Sequence, residues 1–131
     1  MLIIGHKEVD FLPFYLITEK EHIKKISSNS VVAFEYAKKN KDIINFCKEN
    51  ETTFALICNT IKDVILASAN DASYLICDKA IVKEAQNFAD EYMWDAKVLL
   101  YSNNEEDLLW CARNSIDGII FEEGISYDAL E

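Results

Sequence analysis

Glu35, Asn59, Asp78, Ser102 and Glu122 each follow directly on a short apolar run, about twenty residues apart along the chain. Carboxylates, an amide and a hydroxyl are oxygen donors of the kind that hold a hard divalent cation such as Mg²⁺. A pair of carboxylates can also act as general acid and base, provided burial moves their pKa values apart. In parallel α/β folds ligands bind beyond the carboxyl ends of the strands, so residues at those places share one rim. These five are therefore the candidate ligand-binding positions. A divalent cation is the one cofactor they could hold, and no other is expected. Each position also has an ordinary structural use, because Asp78 and Ser102 can cap a following helix and strand-end loops are polar in general. The residue types assign no catalytic group, and whether the protein is an enzyme stays open at this point.

The other reactive side chains carry less. Cys47, Cys58, Cys77 and Cys111 have no C-x-x-C spacing, and Cys58 and Cys77 end apolar runs. Buried free thiols are expected, which fits a reducing compartment and a cytoplasmic location. His6 falls in an N-terminal arm and His22 among Lys20, Lys24 and Lys25. Neither has a second His or a Cys nearby, so surface positions are expected for both. The only glycines, Gly5, Gly118 and Gly124, are too scattered for either common phosphate-binding loop, and no G-x-S-x-G elbow is present.

The 131 residues include 23 acidic and 13 basic ones, for a formal net charge of -10. Residues 1–50 are nearly balanced, so the net acidity lies in residues 51–131. Nucleic-acid binding needs clustered Lys and Arg to release counterions, and is not expected here. No apolar run approaches membrane-spanning length, and no membrane partner is expected.

These residues need elements to position them. Apolar runs such as Val31-Val32-Ala33-Phe34, Phe54-Ala55-Leu56-Ile57, Tyr74-Leu75-Ile76-Cys77 and Val98-Leu99-Leu100-Tyr101 are continuous rather than alternating. That is the pattern of strands covered on both faces, as in a parallel sheet. Helices are expected between them, with Thr18/Glu21, Thr60/Asp63, Asp78 and Ser102/Glu105 as N-terminal signatures. Their expected apolar faces include Ile61, Val64 and Ile65, then Ile81, Ala85, Phe88 and Tyr92, then Leu108, Leu109 and Ala112. The sequence predicts one α/β domain over 1–131, with 1–13 as an arm and 124–131 as a tail. Its mostly parallel sheet has five or six strands built from βα repeats. An open three-layer sandwich with helices on both faces is the first arrangement, because it covers its own sheet. A partial or half (βα) barrel is the alternative.

Lys97-Val98-Leu99-Leu100-Tyr101-Ser102-Asn103-Asn104 with its helix, followed by Asp117-Gly118-Ile119-Ile120-Phe121, resembles the last βα units of glycerophosphodiester phosphodiesterase barrels. The resemblance covers residues 97–121 and implies βα architecture only. That family's early His-Arg pair and Glu-x-Asp metal motif have no counterpart, since Lys7 follows His6 and Tyr36-Ala37 follows Glu35.

The functional expectation is a non-catalytic binding or assembly domain with an unspecified small-molecule ligand. The alternative is a small enzyme, or the remnant of a metal-dependent (βα)-barrel hydrolase or lyase, acting on a phosphorylated or carbonyl metabolite. The apolar arm around Phe11, Leu12, Phe14 and Tyr15 is expected to pack on its own sheet edge, with a homodimer contact as the alternative.

Overall fold

A computed structural model describes residues 1–131. Eight strands, all parallel to their neighbours, form one sheet: β1 (Leu2–Ile4), β2 (Phe14–Leu16), β3 (Val31–Glu35), β4 (Phe54–Ile57), β5 (Tyr74–Cys77), β6 (Lys97–Ser102), β7 (Gly118–Phe121) and β8 (Ile125–Ser126). Their order across the sheet is β1-β7-β6-β5-β4-β3-β2-β8. Four α-helices, α1 (Lys41–Glu49), α2 (Ile61–Ala69), α3 (Val82–Glu91) and α4 (Asp107–Arg113), make the crossovers from β3 through to β7. The α/β parallel sheet is as the sequence predicts. Its two additional strands come from the segments read as arm and tail: Leu2–Ile4 pairs with β7, and Ile125–Ser126 pairs with β2.

The sheet is curled into a half-barrel, and the open three-layer sandwich is corrected in favour of that alternative. β7 lies next to one edge and β8 forms the other, yet only Glu122–Gly124 connect them. Three residues reach roughly 10 Å, far less than the width of eight flat strands at about 4.8 Å apart. The edges therefore meet at the carboxyl end. Gly5 (φ 98°) and Gly124 make the seam, and a Cβ on Gly5 would lie 2.4 Å from the Gly124 nitrogen. A side chain at Gly5 would break this contact, and its positive φ suits glycine.

Curling separates two apolar layers. On the outer face, Val32, Phe34, Leu56, Leu75, Val98, Leu100 and Ile119 pack beneath the helices. On the inner face, β1 to β7 each contribute one residue to a single layer: Ile4, Phe14, Ala33, Ala55, Ile76, Leu99 and Ile120. The inner sheet face thus covers itself with its own side chains, as in barrels. Phe14 belongs to this layer and is buried against its own sheet, whereas Phe11 and Leu12 remain exposed.

Helix α1 buries Ile43, Ile44 and Cys47, whereas α2 to α4 dock largely through small residues. Ala67 of α2, Ala85 and Ala89 of α3 and Cys111 of α4 are buried, while Ile65, Tyr92 and Leu109 of the expected faces are exposed. Small side chains let a helix approach the sheet closely, and in α2 to α4 the buried stripe leaves several of the bulkiest residues outside. The first interval departs further. Lys20–Lys25 form a 3-10 helix with no side-chain cap, and the His22 ring takes the Thr18 backbone N–H at 3.2 Å in place of the expected Thr18/Glu21 box. Thr60 does cap α2, accepting the Asp63 N–H at 3.1 Å.

All four α-helices end alike. Glu51, Asp71, Met93 and Ser115 have φ of 54°, 68°, 52° and 54°. The next residue in each case returns its N–H to the helix: Thr52 to Cys47, Ala72 to Ala67, Trp94 to Ala89 and Ile116 to Cys111. This is the Schellman arrangement, which usually places glycine at the left-handed position. Here four side-chain-bearing residues occupy it, and that is how a chain with three glycines makes four sharp helix-to-strand turns.

Candidate functional site

Strand alternation decides which strand-end residues face the interior of the curl. Ala33, Ile76, Leu99 and Ile120 point inward, so Glu35, Asp78, Tyr101 and Glu122 share their side of the sheet. Ser102 has the opposite parity. Its hydroxyl donates to Asp107 Oδ2 at 2.7 Å and accepts the Asn104 N–H at 2.9 Å, closing the turn into α4 on the helix side. Ser102 thus lies on the helix side of the sheet, apart from the inward positions, and its expected partner Glu105 bonds His6 instead.

The inward positions surround a hollow of about 280 Å³ at the carboxyl end of the sheet. Leu16, Ala33, Ile57, Ile76 and Ile125 form its apolar floor, with Cys58 and Cys77 beside them. The small Ala33 side chain leaves room where larger ones would fill the curl. Asn59, Asp78, Tyr101, Glu122 and Tyr127 form the polar mouth. Three of the five sequence-expected positions, Asn59, Asp78 and Glu122, are thus brought together. Glu35 is outside the lining but accepts Asn59 Nδ2 at 3.2 Å.

Glu122 organises the mouth. The Tyr101 hydroxyl donates to its Oε2 and the Tyr127 hydroxyl to its Oε1, the latter at 2.5 Å. The two phenols hold the Glu122 carboxyl below the usual carboxylate range, because hydrogen bonds to the charged form favour it. The same bonds raise both phenols: Tyr101 above its ordinary value, and Tyr127 to about 12. Asp78 is fixed differently. Its Oδ1 accepts the Ala80 and Ile81 N–H groups at 3.0 and 3.3 Å, starting the turn into α3. Burial pushes the Cys77 thiol up to about 12 and the Cys58 thiol higher still, so both are neutral at pH 7. Cys47 and Cys111 are buried free thiols as well.

Tyr101 and Tyr127 are the residues that sequence reasoning missed. Counting alternate residues back from Glu122 and Asp78 marks the strand positions that face inward, and the same count on β6 selects Tyr101 over Ser102. Tyr127 lies in the segment read as a tail and had no such signal.

One further cluster could hold a metal: ligand atoms of His6, Glu8 and Glu105 lie within 4.8 Å of one another. His6 Nε2 sits 2.8 Å from Glu105 Oε1, while Nδ1 accepts the Glu8 backbone N–H at 3.1 Å. An accepting Nδ1 places the ring proton on Nε2, which then donates to Glu105. Metal-bound histidines do the reverse and donate through the second nitrogen. The cluster therefore works as a tether from the chain after β1 to the β6–α4 connection. Both histidines were expected on the surface; instead their side chains are only 12% (His6) and 11% (His22) exposed.

No family model matches the chain, and no curated protein matches it.

Proposed function

We propose that the protein is a non-catalytic binding domain that takes a small molecule at the carboxyl mouth of its curled sheet. The observation that carries this reading is the Glu122 cluster above an apolar hollow. Both Glu122 oxygens already accept phenol protons, and its lowered pKa makes it a weak base near neutrality. The neighbouring thiols are held neutral by burial. What the site offers is a shaped apolar floor and fixed polar groups, which are the features of a ligand pocket.

The second reading, a remnant of a (βα)-barrel hydrolase or lyase, draws support from the curl itself. A phosphorylated substrate fits it poorly, because none of the 12 residues lining the hollow is Lys or Arg.

The test is a fragment screen followed through the isoleucine methyl resonances of Ile57, Ile76 and Ile125. Binding is expected to shift these three signals together, and Ala33→Leu to abolish the shifts while the remaining spectrum stays folded. A diverse fragment set that moves none of them at about millimolar concentration, where even a Kd of about 1 mM registers, overturns the reading.

A further inference from the structure

The chemical class of the ligand follows from how the charges at the mouth are arranged, and this step rests on the binding-domain reading. Asp78 and Glu122 both line the hollow, and none of the protein's ion pairs involves either of them. Glu35 and Glu123 flank them with no cationic partner either. Two carboxylates thus line a hollow that has no cation among its lining residues, an arrangement that gives the cleft a negative potential. Anionic ligands are repelled from such a mouth.

Two kinds of cation remain, and the oxygen inventory separates them. A hard metal ion takes six or more oxygen ligands. Here Glu122 Oε1 and Oε2 each already accept a phenol, and Asp78 Oδ1 accepts two backbone N–H groups. Asp78 Oδ2 and one lone pair on each Glu122 oxygen stay open. Those acceptors match the two or three N–H donors of an ammonium group, whereas a metal ion would have to complete its shell with water above an apolar floor. The phenol rings of Tyr101 and Tyr127 add faces on which a cation is favoured. Below lie Ala33, Ile57 and Ile76, which a bare metal ion would leave empty and an organic body would fill.

We propose that the hollow binds a compact primary amine in its protonated form, with the ammonium group at Asp78 and Glu122 and the apolar body on the Ala33–Ile57–Ile76 floor.

Three probes sharing one body test this: cyclohexylmethylamine, cyclohexylmethanol and cyclohexanecarboxylate, titrated at pH 7 against the isoleucine methyl signals, with Ca²⁺ and Mg²⁺ as separate arms. The amine is expected to bind about tenfold more tightly than the alcohol, the worth of one charge-assisted hydrogen bond, and the carboxylate not to bind. Asp78→Asn and Glu122→Gln should each cut the amine preference to about threefold or less. Should Glu122→Gln fail to fold, Asp78→Asn alone decides. Equal binding of amine and alcohol, or tighter binding of the carboxylate or of either metal ion, overturns the amine proposal and leaves the binding-domain reading standing. Silence from all three probes overturns the amine proposal, while the wider fragment screen decides the binding reading separately.

Discussion

The two ends of the curled sheet both carry hydrogen-bonded polar side chains, and two of their clusters use them in opposite ways. At the amino end, polar groups complete backbone valences. Gln86, buried in α3, accepts the Asp117 N–H at 2.9 Å through its side-chain oxygen and donates its side-chain N–H to Asp90 at 2.9 Å. Asp117 Oδ2 accepts the Val98 N–H at 2.9 Å. The four left-handed helix ends gather on the same side, where each helix turns back into a strand. At the carboxyl end, Glu122, Tyr101 and Tyr127 satisfy one another and leave an apolar space below. Polarity alone does not mark a site. What separates the two clusters is that Gln86 and Asp117 complete backbone groups, whereas Glu122 and its phenols join one another above an apolar hollow.

That contrast can be broken or sharpened by substitution. The largest effect is expected from Gln86→Ala, which strips the Asp117 N–H of its partner in a buried setting. A loss of about 2 kcal/mol is expected by urea denaturation, with fragment binding at the mouth unchanged. A loss of binding comparable to the loss of stability would show that the ends are not independent.

Met93→Gly should move stability the other way. Met93 is 85% exposed and held at φ 52°, so glycine removes a left-handed penalty without removing a contact. A gain of about 1 kcal/mol is expected, read as a higher urea midpoint at constant slope. A destabilised variant would mean that the Met93 side chain matters where it looks free.

The smallest effect at neutral pH is expected from Tyr127→Phe, below about 1 kcal/mol because the bond is partly exposed. Its signature lies in the pH profile. Tyr101 and Tyr127 have raised pKa values, so their stabilisation is fully present below pH 10 and is lost as pH rises towards 12. Glu122 has a lowered one, so its share is present above the ordinary carboxylate range and is lost as pH falls below it. Tyr127→Phe should flatten the alkaline limb of a melting-temperature profile and reduce the acid one. Unchanged limbs would dissociate the phenol from Glu122.

Much of this contrast was legible in the chain. Continuous apolar runs identified the parallel sheet, and the residues after them included Asn59, Asp78 and Glu122. Position after a run says nothing of which face Ser102 takes; that depends on the inward parity of Leu99 and Tyr101. The curl was less visible. It needs small Ala33 and Ala55 inside and a two-glycine contact between residues 119 positions apart, and neither is a local pattern. The helix ends escaped for a related reason: Glu51, Asp71, Met93 and Ser115 share a backbone conformation but no residue type.

The Gly5–Gly124 seam also bears on how the molecule is made. Leu2 pairs with Gly118, and Ile125, on the far edge, pairs with Phe14. Helices and neighbouring strands from β3 to β7 can assemble step by step from nearby residues, but both outer strands must wait for partners from the opposite end of the chain. Contacts of such long sequence separation form slowly. β1 therefore stays without its neighbour until β7 has been made, and the inner layer stays open to water until β7 and β8 take their places.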